Sequence, residues 1–182
     1  MSNKLEIESS CLVIIDVQGR LAELMHEKEM LFKNIRILIE AANILNIPVV
    51  WCQQVPEALG ATVPQIAELL TNNQPINKAC FSCCLEQQFT ERLLELDRNQ
   101  ILITGIETHI CVYQTARELL CKGYDVTLIA DAVSSRTLRN SDIALNRLQT
   151  EGVNISSTEM ALFELLKTAD HTQFKKIAKL VK

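Results

Sequence analysis

The stretch ILITGIETHICVYQTARELLCKGYDVTLIA, residues 101–130, decides how this chain folds. Ile101 to Ile103 is apolar at every position. A strand with one wet face alternates; a strand apolar throughout is buried on both faces. A polar turn follows at 105–111. Val112, Ala116, Leu119 and Leu120 then recur at helical spacing, and Gly123 supplies the stop. DVTLIA, at 125–130, is a second buried strand. Buried strand, amphipathic helix, buried strand is a parallel βαβ unit.

The same alternation runs outward in both directions. CLVIID at 11–16 is a buried strand ending on a carboxylate. Leu31, Ile35, Leu38, Ala42 and Leu45 mark a helix from Lys28 to Asn46, and IPVVWC at 47–52 is another apolar strand. Residues 53–77 hold three of the four prolines and one glycine. They read as loop, a short helix near 64–71 and a very short strand near Ile76. Phe89, Leu93 and Leu96 mark a helix before a turn at 97–99. A helix over 141–151 stops at Gly152, and VNIS at 153–156 is the last strand. Ser156–Ser157–Thr158–Glu159 has capping-box spacing. Phe174, Ile177, Ala178 and Val181 share one face of a final helix. The expected fold is α/β: a three-layer α/β/α sandwich around a mainly parallel, six-stranded, doubly wound (Rossmann-like) sheet, strand order 3-2-1-4-5-6. No linker or repeat interrupts residues 1–182, so one domain is expected.

Composition excludes several function classes. The 182 residues are 48% hydrophobic and 22% charged, enough for a core that buries roughly 70% of the unfolded surface. Eighteen basic against 22 acidic side chains give a net charge of −4, which offers no electrostatic case for nucleic acid or an anionic membrane. No apolar run approaches the ~18 residues that span a bilayer. MSNKLEIESS has no apolar core of a secretory signal. Seven cysteines, an odd number without such a signal, read as free thiols in a reducing cytoplasm.

In a doubly wound sheet the ligand crevice lies beyond the carboxyl ends of the strands. Asp16, Val17, Gln18 and Gly19 follow the first strand, and Gln53 and Gln54 the second. Lys78 lies by the third. Glu107, Thr108, His109 and Cys111 follow the fourth, and Asp131, Ser134, Ser135 and Arg136 the fifth. A carboxylate, an ammonium and a thiol therefore share one face. Thr108 is placed to cap the next helix, which would put Cys111 third in its first turn, where the positive helix end favours thiolate. A packed cysteine is the bland alternative. Asp16 alone reads equally as a loop or cap residue, and Lys78 alone as a surface charge. Together they give a thiol a base and a counter-charge. His109 stands two residues before Cys111, too close along a helix to face it, so it lines the pocket or faces solvent. His26 and His171 fall on amphipathic helices and read as surface residues. Cys80 and Cys83 have CxxC spacing, with Cys84 next, but zinc needs further ligands and a thioredoxin motif needs a strand before and a helix after. Asp131 and Arg136 read as substrate ligands or as a strand-end ion pair and cap. In the expected order the third strand lies two strands from the first, and spacing leaves open whether Lys78 reaches Asp16 and Cys111.

These residues resemble the isochorismatase-like cysteine hydrolases over nearly the whole chain. LVIIDVQ at 12–18 resembles the family's opening strand, Ile76–Asn77–Lys78 with Phe81–Ser82 the lysine segment, and GIETHICV at 105–112 the nucleophile segment. ADAVSSR at 130–136 is similar too. STEMALFELL at 157–166 and FKKIAKLVK at 174–182 look most like the isochorismatase domain-containing proteins. The resemblance implies Asp16 as general base, Lys78 as charge partner and Cys111 as nucleophile. It implies a cis peptide at Ile106–Glu107 and an oxyanion hole built from the N–H groups of Glu107 and Cys111. Gln18, Gln54, Thr108 and His109 would border the substrate.

Two departures sharpen the expectation. Nicotinamidases in this superfamily carry an Asp/His metal site after the second strand; here no histidine occurs between His26 and His109, and QQVPEALGATVP at 53–64 has no ligand pattern. No metal or cofactor is expected. Isochorismatase proper characteristically lacks the cysteine, so Cys111 argues for acyl chemistry. The resulting expectation is metal-free hydrolysis of a small amide-like C–N bond through a Cys-Asp-Lys triad and a thioester, with a small polar substrate and a homo-oligomeric enzyme. The alternatives are a vinyl-ether hydrolase using Asp16 as acid, and a non-enzymatic oligomer that binds ligands or senses redox state.

Overall fold

The computed structural model describes residues 4–71 and 73–182. Its strands are β1 (Ser10–Ile15), β2 (Val49–Gln54), β3 (Ile76–Lys78), β4 (Gln100–Ile106), β5 (Asp125–Ser134) and β6 (Asn154–Ser156). They form one sheet in the order β3-β2-β1-β4-β5-β6, with all five strand pairings parallel. The chain starts in the middle, winds out to β3, crosses back beside β1 and continues to β6. This is the expected order.

The helices are α1 (Gly19–Glu23), α2 (Lys28–Leu45), α3 (Pro56–Leu59), α4 (Pro64–Ala67), α5 (Gln87–Leu96), α6 (Tyr113–Cys121), α7 (Leu138–Glu151), α8 (Thr158–Leu166) and α9 (Phe174–Leu180). All six residues of β1 are buried. Alternation divides them between two cores. Leu12 and Ile14 pack with α2, α8 and α9, whereas Cys11, Val13 and Ile15 pack with α5, α6 and α7. That double burial is why the strand shows no polar alternation.

Several local expectations are corrected. The helix near 64–71 is the single turn α4, and α1 and α3 are short turns that periodicity cannot register. β5 runs four residues past 130, because a register shift between Ile103 and Gly105 lets the end of β4 pair with Val133 and Ser134. α7 begins at Leu138, where the Thr137 side chain accepts from Asn140 N–H. α8 is capped by Ser157, accepting from Met160 N–H, one residue after the expected Ser156. His26 and His171 lie in turns; His171 Nδ1 accepts from Gln173 N–H.

Candidate active site

Asp16 leaves β1 with a φ of 54°, a left-handed turn that aspartate tolerates better than most residues. Its N–H stays on the sheet, donating to Cys52 O at 3.1 Å. Beside it β4 comes close to β1. Gly105 pairs with Ile15 at a φ of 115°, and a Cβ there would stand 2.1 Å from Ile15 O. Only glycine lets β4 approach β1 so closely at this level.

Lys78 reaches across β2 to Asp16. Its Nζ donates to Asp16 Oδ2 at 2.6 Å, to Gln54 Oε1 at 2.6 Å, and to the carbonyls of Cys80 and Phe81 at 3.2 and 3.3 Å. The lysine side chain is 0% exposed and the aspartate 3%. Burial draws the ammonium down, but the Asp16 carboxylate opposes it and the net direction is up. Burial lifts the Asp16 carboxyl above its ordinary value against the pull of Lys78. Among the described residues the other carboxylate oxygen, Oδ1, is buried and has no hydrogen-bond partner.

Cys111 lies against this pair, close enough for its thiol and the Asp16 carboxyl to shift each other's titration. It is buried at 7% exposure, in the fourth position of a wide π-type turn, Thr108–Val112, that runs into α6. Thr108 does not cap the turn, contrary to the sequence reading. It is fully buried, and its Oγ1 accepts from Ser141 Oγ of α7 at 3.1 Å. The thiolate expectation is overturned as well. Burial pushes the thiol up, the Asp16 carboxylate adds to this, and Lys78 only partly offsets them. A helix start acts over one turn and is worth a fraction of burial. These surroundings favour the thiol over the thiolate.

The remaining residues mostly hold this centre. Gln18 is fully buried. Its Nε2 donates to Gln54 O and Gly60 O, and its Oε1 accepts from Gln54 N–H at 2.6 Å. Both amide hydrogens are thus spent fastening the segment after β2. Gln54 supports Lys78 and donates to Ala79 O at 2.7 Å. His109 is half-buried; its Nδ1 meets Ser135 Oγ at 2.9 Å and Nε2 meets Asn140 Nδ2 at 3.5 Å. The Ile106–Glu107 peptide is cis. The buried Glu107 carboxylate accepts from both the N–H and the Nε of Arg136 at 3.1 Å. Asp131 Oδ1 accepts from Thr158 N–H and Oγ1, at the start of α8.

Sequence reasoning passed over Thr115 and Glu118, two side chains that secure the lysine's cradle. Thr115 Oγ1 accepts from Cys83 N–H at 3.0 Å, and Ser82 Oγ donates to Glu118 Oε2 at 2.9 Å. Periodicity marks Thr115 only as a polar position on a helix, so no sequence signal singled it out.

The family profile of the isochorismatase domain matches residues 10–160. The chain is 38% identical over 180 residues to the secreted isochorismatase effector Isc1 of Phytophthora sojae (strain P6497), an alignment covering 96% of this chain and 85% of the relative. It is 36% identical over 179 residues to isochorismatase domain-containing protein 2 of Danio rerio, covering 98% and 89%. Among solved structures, that of the MAR1 ribonuclease from Caenorhabditis elegans superposes with a TM-score of 0.92 at 33% identity, covering 98% of this chain and 92% of the other.

Proposed function

The chain belongs to the isochorismatase family of hydrolases, and we propose that it cleaves a small amide-like C–N bond through Cys111, Asp16 and Lys78 without a metal or cofactor. One observation carries this reading. Asp16 has one oxygen tied to an ammonium and the other buried without a partner among the described residues, and its carboxyl lies near the Cys111 thiol. An orphaned buried acceptor costs stability, and a proton arriving from sulfur would satisfy it.

The chemistry follows from that arrangement. Asp16 takes the Cys111 proton as sulfur attacks the carbonyl carbon, so the poorly favoured thiolate never accumulates. The raised Asp16 carboxyl is a stronger base than an ordinary one. The N–H groups of Glu107 and Cys111 receive the oxyanion, a donor pair typically worth about 10²–10³-fold per member. Protonated Asp16 gives its proton to the leaving amine. Water then cleaves the thioester with Asp16 again as base. Lys78 stays charged throughout and offsets the negative charge shared by carboxylate and sulfur. Gln18, Gln54 and the buried Thr108 act in this reading by positioning, and the half-buried His109 borders the substrate.

The test is a screen of small amides and amidines run beside Cys111→Ala. Turnover that disappears in the variant supports the thioester route. Turnover that survives in Cys111→Ala but not in Asp16→Asn points to vinyl-ether-type acid catalysis instead. Thiol reactivity without product release points to a binding or sensing protein. The net charge of −4 gives no electrostatic reason to extend the word ribonuclease from the C. elegans structure to this chain.

The same reading takes residues 1–182 as one catalytic domain with a small polar substrate. A homo-oligomer is its working form. Leu24, Met30, Phe81 and Leu138 are 53%, 49%, 56% and 53% exposed, all in segments leaving the carboxyl ends of strands, and a second copy would remove such apolar surface from water. Light scattering that finds only monomer overturns that part. Seven free cysteines suit a cytoplasmic protein, and fractionation of the source cells checks it. Among the described residues no helix is long and apolar enough to cross a membrane.

A further inference from the structure

We propose that Thr115 is a positioning residue for this site, holding the segment that cradles the Lys78 ammonium against the helix that follows Cys111. The inference rests on the hydrolase reading above and adds a residue that reading does not contain.

β3 supports Lys78 weakly. It is three residues long, stands at the edge of the sheet and, among the described residues, pairs with β2 alone. A second anchor is therefore needed for an ammonium that must be held to a fraction of an ångström. That anchor is the segment 80–84. The carbonyls of Cys80 and Phe81 accept from Lys78 Nζ, and the next two residues are fastened to α6. Cys83 N–H donates to Thr115 Oγ1, Ser82 Oγ donates to Glu118 Oε2, and Cys84 Sγ approaches Thr115 O at 4.0 Å.

Thr115 is fully buried and follows Cys111 by four residues, about one turn further along the same coil. The hydroxyl thus joins two bodies that the sheet holds apart. One carries the sulfur and the other the positive charge. If the only use of Thr115 were to satisfy a buried amide, its loss would lower stability and leave the chemistry at Cys111 alone. A positioning role makes a different claim. Slackening the strap lets the ammonium drift from the sulfur, so the thiolate formed during attack is less well compensated.

The experiment uses the full chain and p-nitrophenyl acetate as acyl donor. Sulfur forms the new bond to the acetyl carbon, nitrophenolate leaves, and the thiol proton passes to Asp16. Acetylation of the Cys111 peptide is followed by mass spectrometry across pH. Thr115→Val keeps the shape and removes the acceptor. It is expected to slow acetylation about tenfold or more and to move the half-maximal rate to higher pH; Thr115→Ser restores both. Acetylation of Thr115→Val at the wild-type rate, with an unmoved pH profile, overturns the proposal. Should Thr115→Val fail to fold, Ser82→Ala releases the same segment at its other link, and an unchanged pH profile there overturns it equally. Wild-type protein acetylated elsewhere than Cys111 would instead defeat the hydrolase reading itself, and this proposal with it.

Discussion

Lys78 Nζ and Asp16 Oδ2 lie 2.6 Å apart, although β2 separates the strands that bear them. Two inter-strand spacings are about 9.6 Å, and the lysine and aspartate side chains together close that span. Gln54 sits on the intervening strand and accepts from the same ammonium. The pair is buried, so its two members are not independently removable.

Lys78→Met leaves the Asp16 carboxylate without a counter-charge in the interior. The loss of stability is expected at about 3–5 kcal/mol, read as a fall in the urea midpoint at pH 7. The double variant Lys78→Met/Asp16→Asn removes both charges and recovers part of that loss. A single variant as stable as wild type would mean that the pair is not held as described.

Titration of Asp16 has a definite sign. Burial raises its carboxyl in the folded chain, so the folded state holds that proton more tightly. Its contribution to stability is present in full below the unfolded value, about 3.9, and is lost as pH rises through the folded value. Asp16→Asn should flatten that decline in urea titrations. The proposed reaction needs the same carboxyl ionised, so the acid limb of kcat/KM is expected above the pH of an ordinary aspartate. An acid limb at or below about 3.9 contradicts the assignment.

Gly105→Ala introduces a Cβ 2.1 Å from Ile15 O at a φ of 115°. The backbone must move, at an expected cost of about 2–4 kcal/mol, and β4 separates from β1 directly beside Asp16. Thermal unfolding should show the loss, and residual turnover should fall even where the variant stays folded. An alanine variant with wild-type melting and activity would refute the close approach.

Cys111→Ala trims a small buried side chain in the turn before α6. Its fold should persist, with far-ultraviolet circular dichroism unchanged. Turnover of any substrate found by screening is expected to fall by on the order of 10⁴-fold or more. Cys11→Ala, which alters a buried thiol near the start of β1 and away from the Lys78 cradle, is the comparison that separates lost chemistry from lost packing.

Strand order, the two faces of the sheet and the strand-end positions of Asp16, Lys78 and Cys111 were all legible in the sequence. The strand ends follow from where apolar runs stop, and the order from the connection rules of a doubly wound sheet. The rest depended on atoms meeting across the chain. Nothing in the spacing shows that Thr108 would bond Ser141 and leave its turn uncapped, or that Gln18 would spend both amide hydrogens on the backbone. The direction of the Cys111 thiol was misjudged for a related reason. A local rule about helix starts was applied where the larger influence was burial next to a carboxylate 95 residues away.

The central position of β1 has a consequence for how such an enzyme can change. Every side chain from Ser10 to Ile15 is enclosed, so the Asp16 carboxylate at its end, the base in the proposed reaction, is mounted on a part of the molecule with little freedom to drift. Phe81 and Leu138, by contrast, stand at the water's edge on segments leaving β3 and β5. Those outer segments can be rewritten for a new ligand while the base beneath them keeps its setting, so chemistry and selectivity are free to diverge at different speeds.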